Sequence, residues 1–101
     1  MIDLDVFKKL DLRIGEIKSA EKIDDDFFRL KLDCDGIITT LLQGDFSAKE
    51  LVGMKVVVLV NFKPVEIRGE KSEGMLLAAD ESGKPILLVP EKSVKTGTKI
   101  R

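Results

Sequence analysis

A chain of 101 residues with 44% hydrophobic and 35% charged residues has the size and balance of one folded domain, residues 1–101, rather than a disordered segment. With no histidine, Ser-His-Asp triads, Cys-His dyads and histidine-ligated metal sites are excluded, and the lone Cys34 excludes an internal disulfide or a thiolate cluster. The net charge of −1 requires any cationic surface for phosphate to be local.

No apolar run approaches the roughly 20 residues needed to span a bilayer. The opening MIDLDVFKKL is acidic before it is basic and lacks an unbroken apolar segment, so no secretory signal is expected. These readings predict a cytoplasmic protein with no membrane partner, no bound metal and no cofactor. No nucleophile–base pair is visible, so a binding module is expected rather than an enzyme.

In chain order, Asp3–Leu10 reads as a short helix, with Asp3 as its cap and Leu4, Phe7 and Leu10 on one face. It is expected to pack across one end of a larger structure. Asp11–Ile23 reads as one long strand. Leu12 and Ile14 alternate with Arg13, but the next apolar residue is Ile17, which predicts a β-bulge at Gly15-Glu16. Asp24-Asp25-Asp26 is a solvated turn rather than a carboxylate pair.

Phe28, Leu30, Leu32 and Cys34 alternate with polar residues in a half-buried strand, which makes Cys34 a small buried residue rather than a reactive thiol. Asp35-Gly36 is a two-residue hairpin signal, and Ile37–Gln43 is the return strand. Ser47 and Glu50 form a capping box for a short helix. Val56–Val60 and Met75–Ala79 are apolar runs expected to be covered strands. Asp80–Gly83 is a turn, Ile86–Val89 a short strand stopped by Pro90, and Val94–Arg101 a final extended segment.

Asn61–Met75, NFKPVEIRGEKSEGM, fits none of these patterns. It sets Lys63, Arg68 and Lys71 among Glu66, Glu70 and Glu73, and it exceeds the roughly 2–5 residues of an ordinary hairpin loop. Five strands with a helix after the third describe an all-β OB-fold barrel. Strand material beyond the fifth leaves an edge that pairing across a two-fold covers, which predicts extra C-terminal strands at a homodimer interface.

Four blocks, DLRIGEI (11–17), ELVGMKVVVLVN (50–61), RGEKSEGMLLAAD (68–80) and KTGTKIR (95–101), resemble the tRNA-binding domain family in matching order. That family includes the C-terminal appendage of methionyl-tRNA synthetases, stand-alone tRNA-binding proteins and the CsaA-like export chaperone. The resemblance implies an OB-fold dimerised through its terminal segments, with tRNA as partner and methionyl-tRNA synthetase as a further one. It implies that Asn61, Lys63, Arg68, Ser72, Gly74 and Met75 line a nucleic-acid groove, with Arg13 and Lys71 extending it.

The residue chemistry suits that role. Lys63 and Arg68 meet phosphates, and Asn61 and Ser72 offer neutral donors and acceptors to base edges or 2′-hydroxyls. Gly74 permits close backbone approach, and Met75 gives a soft apolar surface under a base. On local features alone, Asn61 and Gly74 also fit turn residues, Ser72 a turn cap, Met75 ordinary core, and the interleaved charges a self-paired loop. A CsaA-like chaperone is the alternative, in which the same groove takes an extended polypeptide with Met75 and Phe62 as anchors.

Overall fold

The computed structural model describes residues 1–101. At its centre three antiparallel strands form a meander: β1 (Leu12–Asp24), β2 (Phe27–Asp33) and β3 (Ile37–Gln43). In β2 the side chains alternate as the sequence requires. Phe28, Leu30 and Leu32 are buried, while Arg29 and Lys31 point outward. β3 runs in matching register, with Thr40 opposite Leu30 and Thr39 opposite Lys31. Thr40 and Leu42 are therefore inside and Thr39 lies on the outer face. The connecting turn follows its Asp-Gly sequence: Asp35 and Gly36 take φ of 72° and 131°, and Asp33 Oδ1 accepts the Asp35 N–H at 3.2 Å.

β1 serves both sides of the barrel. Its first part pairs with β4 (Lys55–Leu59) and its second with β2, and Glu16 is paired on both sides, to Lys55 and Asp33. The expected bulge at Gly15-Glu16 is displaced. Pairing with β4 is regular through that point, and the irregularities fall between Ile17 and Ser19 and between Lys22 and Asp24. Gly15 acts through proximity instead, since a Cβ there would lie 2.7 Å from Cys34 Sγ and 3.2 Å from Val58 Cγ1.

The helix α2 (Ala48–Leu51) follows Ser47 as expected, but the Ser47 side chain makes no capping hydrogen bond. The Ser47 carbonyl instead accepts the Glu50 and Leu51 N–H groups at 3.0 Å each, and Leu51 is sunk in the core. Burial of that one leucine, worth about 1.5–3 kcal/mol, outweighs a cap on a helix this short. β4 is covered less evenly than its apolar run suggests: Val56 and Val58 are fully buried, whereas Val57 and Leu59 are half-buried.

The polar connector is not a loop. It contains an antiparallel ribbon of β5 (Val65–Ile67) and β6 (Glu70–Ser72), turned by Arg68 and Gly69 at φ of 53° and 79°. β7 (Met75–Leu76) then pairs with β4, and β8 (Ala78–Glu81) with β9 (Lys84–Leu87) forms a second small hairpin. One strand over Met75–Ala79 was expected; the chain breaks it at Leu77, whose N–H bonds the Val57 carbonyl at 3.0 Å.

The main sheet runs β3-β2-β1-β4-β7. Its two edges meet at Thr39 and Glu73. The Glu73 N–H donates to Thr39 O at 2.8 Å, and the Thr39 N–H donates to Glu73 Oε1 at 2.8 Å. A side-chain carboxylate thus supplies a rung where no second backbone acceptor is in place, and the result is a nearly closed five-stranded OB-type barrel.

The terminal segment is extended, as expected, but it pairs within the chain. Ile14 N–H bonds Thr98 O at 2.9 Å, Gly97 N–H bonds Ile14 O at 2.7 Å, and Ile100 N–H bonds Leu12 O at 2.8 Å. It thereby covers the edge of β1 that β2 leaves free. At the other terminus, Asp3 caps α1 (Leu4–Phe7) through the Val6 N–H, yet α1 buries none of its residues. Helix α1 and the last residues border a cleft of about 380 Å³ lined by Leu4, Phe7, Leu10 and Ile100 among others. No helix is long and apolar enough to cross a membrane.

Burial pushes the Cys34 thiol up from 9.0 to about 11, with the Asp33 carboxylate adding to the effect and Arg13 opposing it. The folded chain thus holds this proton more tightly than the unfolded one. The associated stability is fully present below pH 9 and is lost as pH rises through about 11. The expected result is an alkaline loss of stability that is steeper in the native chain than in Cys34→Ala, together with no alkylation of folded Cys34 at neutral pH.

Candidate nucleic-acid interface

The ribbon β5–β6 lies beside the outer face of β2 and β3, and charged side chains fasten it there. Arg29, outward because Phe28 and Leu30 are inward, bonds Glu70 Oε1 through Nη1 at 2.7 Å and also bonds Glu21 of β1. The two carboxylates, Glu70 foremost, hold the guanidinium pKa above its ordinary value. Glu73 is committed to Thr39. Arg68, at the ribbon's tip, lies with its guanidinium 4.7 Å from the centre of the Phe27 ring and 3.6 Å from Asp24 Oδ2. A cation over an aromatic face at an exposed site contributes about 0.5–1 kcal/mol, so Phe27 gives this arginine a preferred position.

These partners resolve the balanced charge of the connector. Glu70 and Glu73 are engaged inside the protein, whereas Lys31, Lys63 and Lys71 are exposed and form no ion pair. Glu66 stands opposite Lys71 on the ribbon, again without an ion pair. The face left to solvent is more cationic than the sequence count of the stretch.

The expected groove residues divide into two groups. Lys63, Arg68 and Met75 are exposed, as is Lys71. Asn61, Ser72 and Gly74 are occupied by the fold. Asn61 Oδ1 accepts the Asp11 N–H at 2.9 Å and its Nδ2 donates to Lys9 O at 2.7 Å, which ties the N-terminal segment to the end of β4. The buried Ser72 hydroxyl donates to Gly74 O at 2.7 Å. A Cβ at Gly74 would meet Ile38 Cδ1 at 2.8 Å and Leu59 O at 3.0 Å. The turn-cap reading describes Ser72, whereas Asn61 and Gly74 make long-range contacts that neither the groove nor the turn reading expected. Arg13 is ion-paired with Asp11 at 2.9 Å and bridges to Lys99 of the terminal segment, away from β5–β6 in the pairing pattern. That pair holds the Asp11 carboxyl below its ordinary pKa.

Asn61→Ala is accordingly expected to loosen the N-terminal segment and leave the ribbon unchanged. Two exposed hydrogen bonds contribute about 1–2 kcal/mol together. The expected readout is faster amide exchange at Asp11 with no change at Thr39 and Glu73.

Sequence reading missed Arg29 and Lys31 as part of this face. Their alternation with Leu30 marked them as outward, but their meeting with a ribbon some 40 residues later left no local signal.

A barrel of this topology with a charged ribbon beside β2 and β3 belongs to the OB class of oligonucleotide-binding architectures. Residues 12–99 match the family model described as a putative tRNA binding domain, and the chain belongs to that family. It is similar to the methionine–tRNA ligase of Archaeoglobus fulgidus, with 41% identity over 104 residues that cover 98% of this chain and 16% of that enzyme. The chain therefore spans a small part of the curated relatives it matches. Among solved structures it is similar to the chaperone CsaA of Bacillus anthracis, with 34% identity, a TM-score of 0.91, and coverage of 100% of this chain and 99% of that one. It is similar also to the MetRS-related protein of Pyrococcus horikoshii, with 31% identity, a TM-score of 0.91, and coverage of 100% and 98%.

Proposed function

We propose that the chain is a non-catalytic tRNA-binding module related to methionyl-tRNA synthetase, which assists aminoacylation by holding folded tRNA in the cytoplasm. The observation that carries this reading is the set of unpaired cations, Lys31, Lys63 and Lys71, beside a ribbon whose two inner glutamates are already partnered. Lysines free of ion pairs release counterions when they meet phosphates, and that is the main source of nucleic-acid affinity. Arg68, stacked on Phe27, presents a planar cation to a base or phosphate, and exposed Met75 offers an apolar surface to a base. Asn61, Ser72 and Gly74 act beneath this face by holding the chain that carries it. Arg13 supports the terminal segment.

A second copy of the chain is the proposed partner at the other end. The uncovered α1 and the apolar cleft at Leu4, Phe7, Leu10 and Ile100 support a homodimer, whose two RNA faces give avidity that one weakly cationic face lacks. Methionyl-tRNA synthetase is a proposed further partner, on the strength of the family relation.

A chaperone-like module that binds extended polypeptide is the second reading. It is favoured by the similarity to CsaA and by the exposed Val65, Ile67 and Met75. Competition separates the two. The tRNA reading predicts saturable tRNA binding that weakens steeply with salt and that unfolded polypeptide does not displace. Salt-insensitive binding of the polypeptide, with tRNA unable to compete, selects the chaperone reading.

A further inference from the structure

Between β2, β3 and β6 lies an open pocket of about 400 Å³ lined by Arg29, Lys31, Thr39, Glu70, Lys71 and Glu73. No apolar side chain lines it, so it offers no surface to a hydrophobic anchor. Its charges are unequally committed. Arg29 and Glu70 satisfy each other, and Glu73 Oε1 is held by the Thr39 N–H. What remains is two cations without partners, Lys31 and Lys71, and two oxygens without a protein hydrogen bond, Glu73 Oε2 and Thr39 Oγ1. Thr39 is the cross-strand neighbour of Lys31 on the outer face, so cation and hydroxyl stand side by side.

We propose that this pocket is a ribose–phosphate subsite that makes the face selective for RNA over DNA. Lys31 and Lys71 take a backbone phosphate, and the 2′-hydroxyl donates to Glu73 Oε2 while accepting from the Thr39 hydroxyl. A 2′-hydroxyl is both donor and acceptor, and this pair of free oxygens meets both needs; a deoxyribose leaves both unmet. The subsite reads sugar and charge and leaves base identity unread. It deepens the tRNA-binding reading and rests on it. It also moves ribose recognition to Thr39 and Glu73 from Asn61 and Ser72, whose polar atoms the fold employs.

The test compares affinities for a tRNA transcript and for DNA of the same sequence, in the native chain, Thr39→Val and Lys31→Ala. Thr39→Val keeps the backbone N–H and carbonyl that bind Glu73, so the barrel closure survives. The native chain is expected to prefer RNA, and Thr39→Val to reduce the RNA/DNA ratio by about three- to tenfold, the range for one hydrogen bond, with DNA affinity unchanged. Lys31→Ala is expected to weaken both ligands and preserve the ratio. An unchanged ratio in Thr39→Val, equal native affinity for both nucleic acids, or Lys31→Ala with undiminished affinity overturns the subsite while the tRNA-binding reading stands. Absence of native tRNA binding overturns both.

Discussion

Replacing Lys31, Lys63 and Lys71 together by alanine is expected to lower tRNA affinity by about 10- to 100-fold near physiological salt, and to reduce the salt slope of log K by about 2–3, as loss of three phosphate contacts requires. All three side chains are exposed and none forms an ion pair, so the fold is expected to be untouched. The contrast is Glu66→Ala, which removes the acidic residue opposite Lys71 and is expected to strengthen binding modestly. Filter retention of labelled tRNA across a salt series measures both. Undiminished slope in the triple variant contradicts the phosphate-contact mechanism.

The largest expected effect on stability is at Gly15. Its missing Cβ leaves room for Cys34 Sγ, 2.7 Å from where that carbon would sit, and for Val58 Cγ1 at 3.2 Å. Gly15 lies where β1 passes from β4 to β2, so neither strand can yield without disturbing both pairings. Gly15→Ala is expected to cost about 1–3 kcal/mol in denaturant unfolding, the usual range for overpacking a tight core. Cys34→Ala removes the nearest obstacle at the expense of a small cavity. The double variant is therefore expected to be more stable than the two single losses add up to, with a coupling of about 1 kcal/mol. Additive losses contradict the contact.

How far the sequence reached depends on the distance over which each cue acts. The β2–β3 hairpin was legible nearly to the residue, because alternation and an Asp-Gly turn are local signals with strong sterics. The bulge in β1 was placed early because a break in apolar alternation at Gly15 marks a close approach as readily as an inserted residue. The ribbon β5–β6 was missed. Its strands have three residues each, and its turn starts with an arginine at positive φ, a residue that sequence rules do not expect there.

The candidate face was half legible. Lys63, Arg68, Lys71 and Met75 were named on the family resemblance of the stretch, and they are exposed. The meaning of the glutamates was not legible. Glu70 with Arg29, and Glu73 with Thr39, pair residues 41 and 34 positions apart, and only the closed barrel brings them together. The same separation hid Asn61, which fastens a segment 50 positions away.

The central claim is that tRNA is held on the face formed by β2, β3 and the ribbon. Lysine acetylation with and without saturating tRNA, read residue by residue, tests it most directly. The account predicts that Lys31, Lys63 and Lys71 are protected while Lys49 and Lys92, outside the strands of this face, react as before. Protection of the second group with the first left reactive contradicts it.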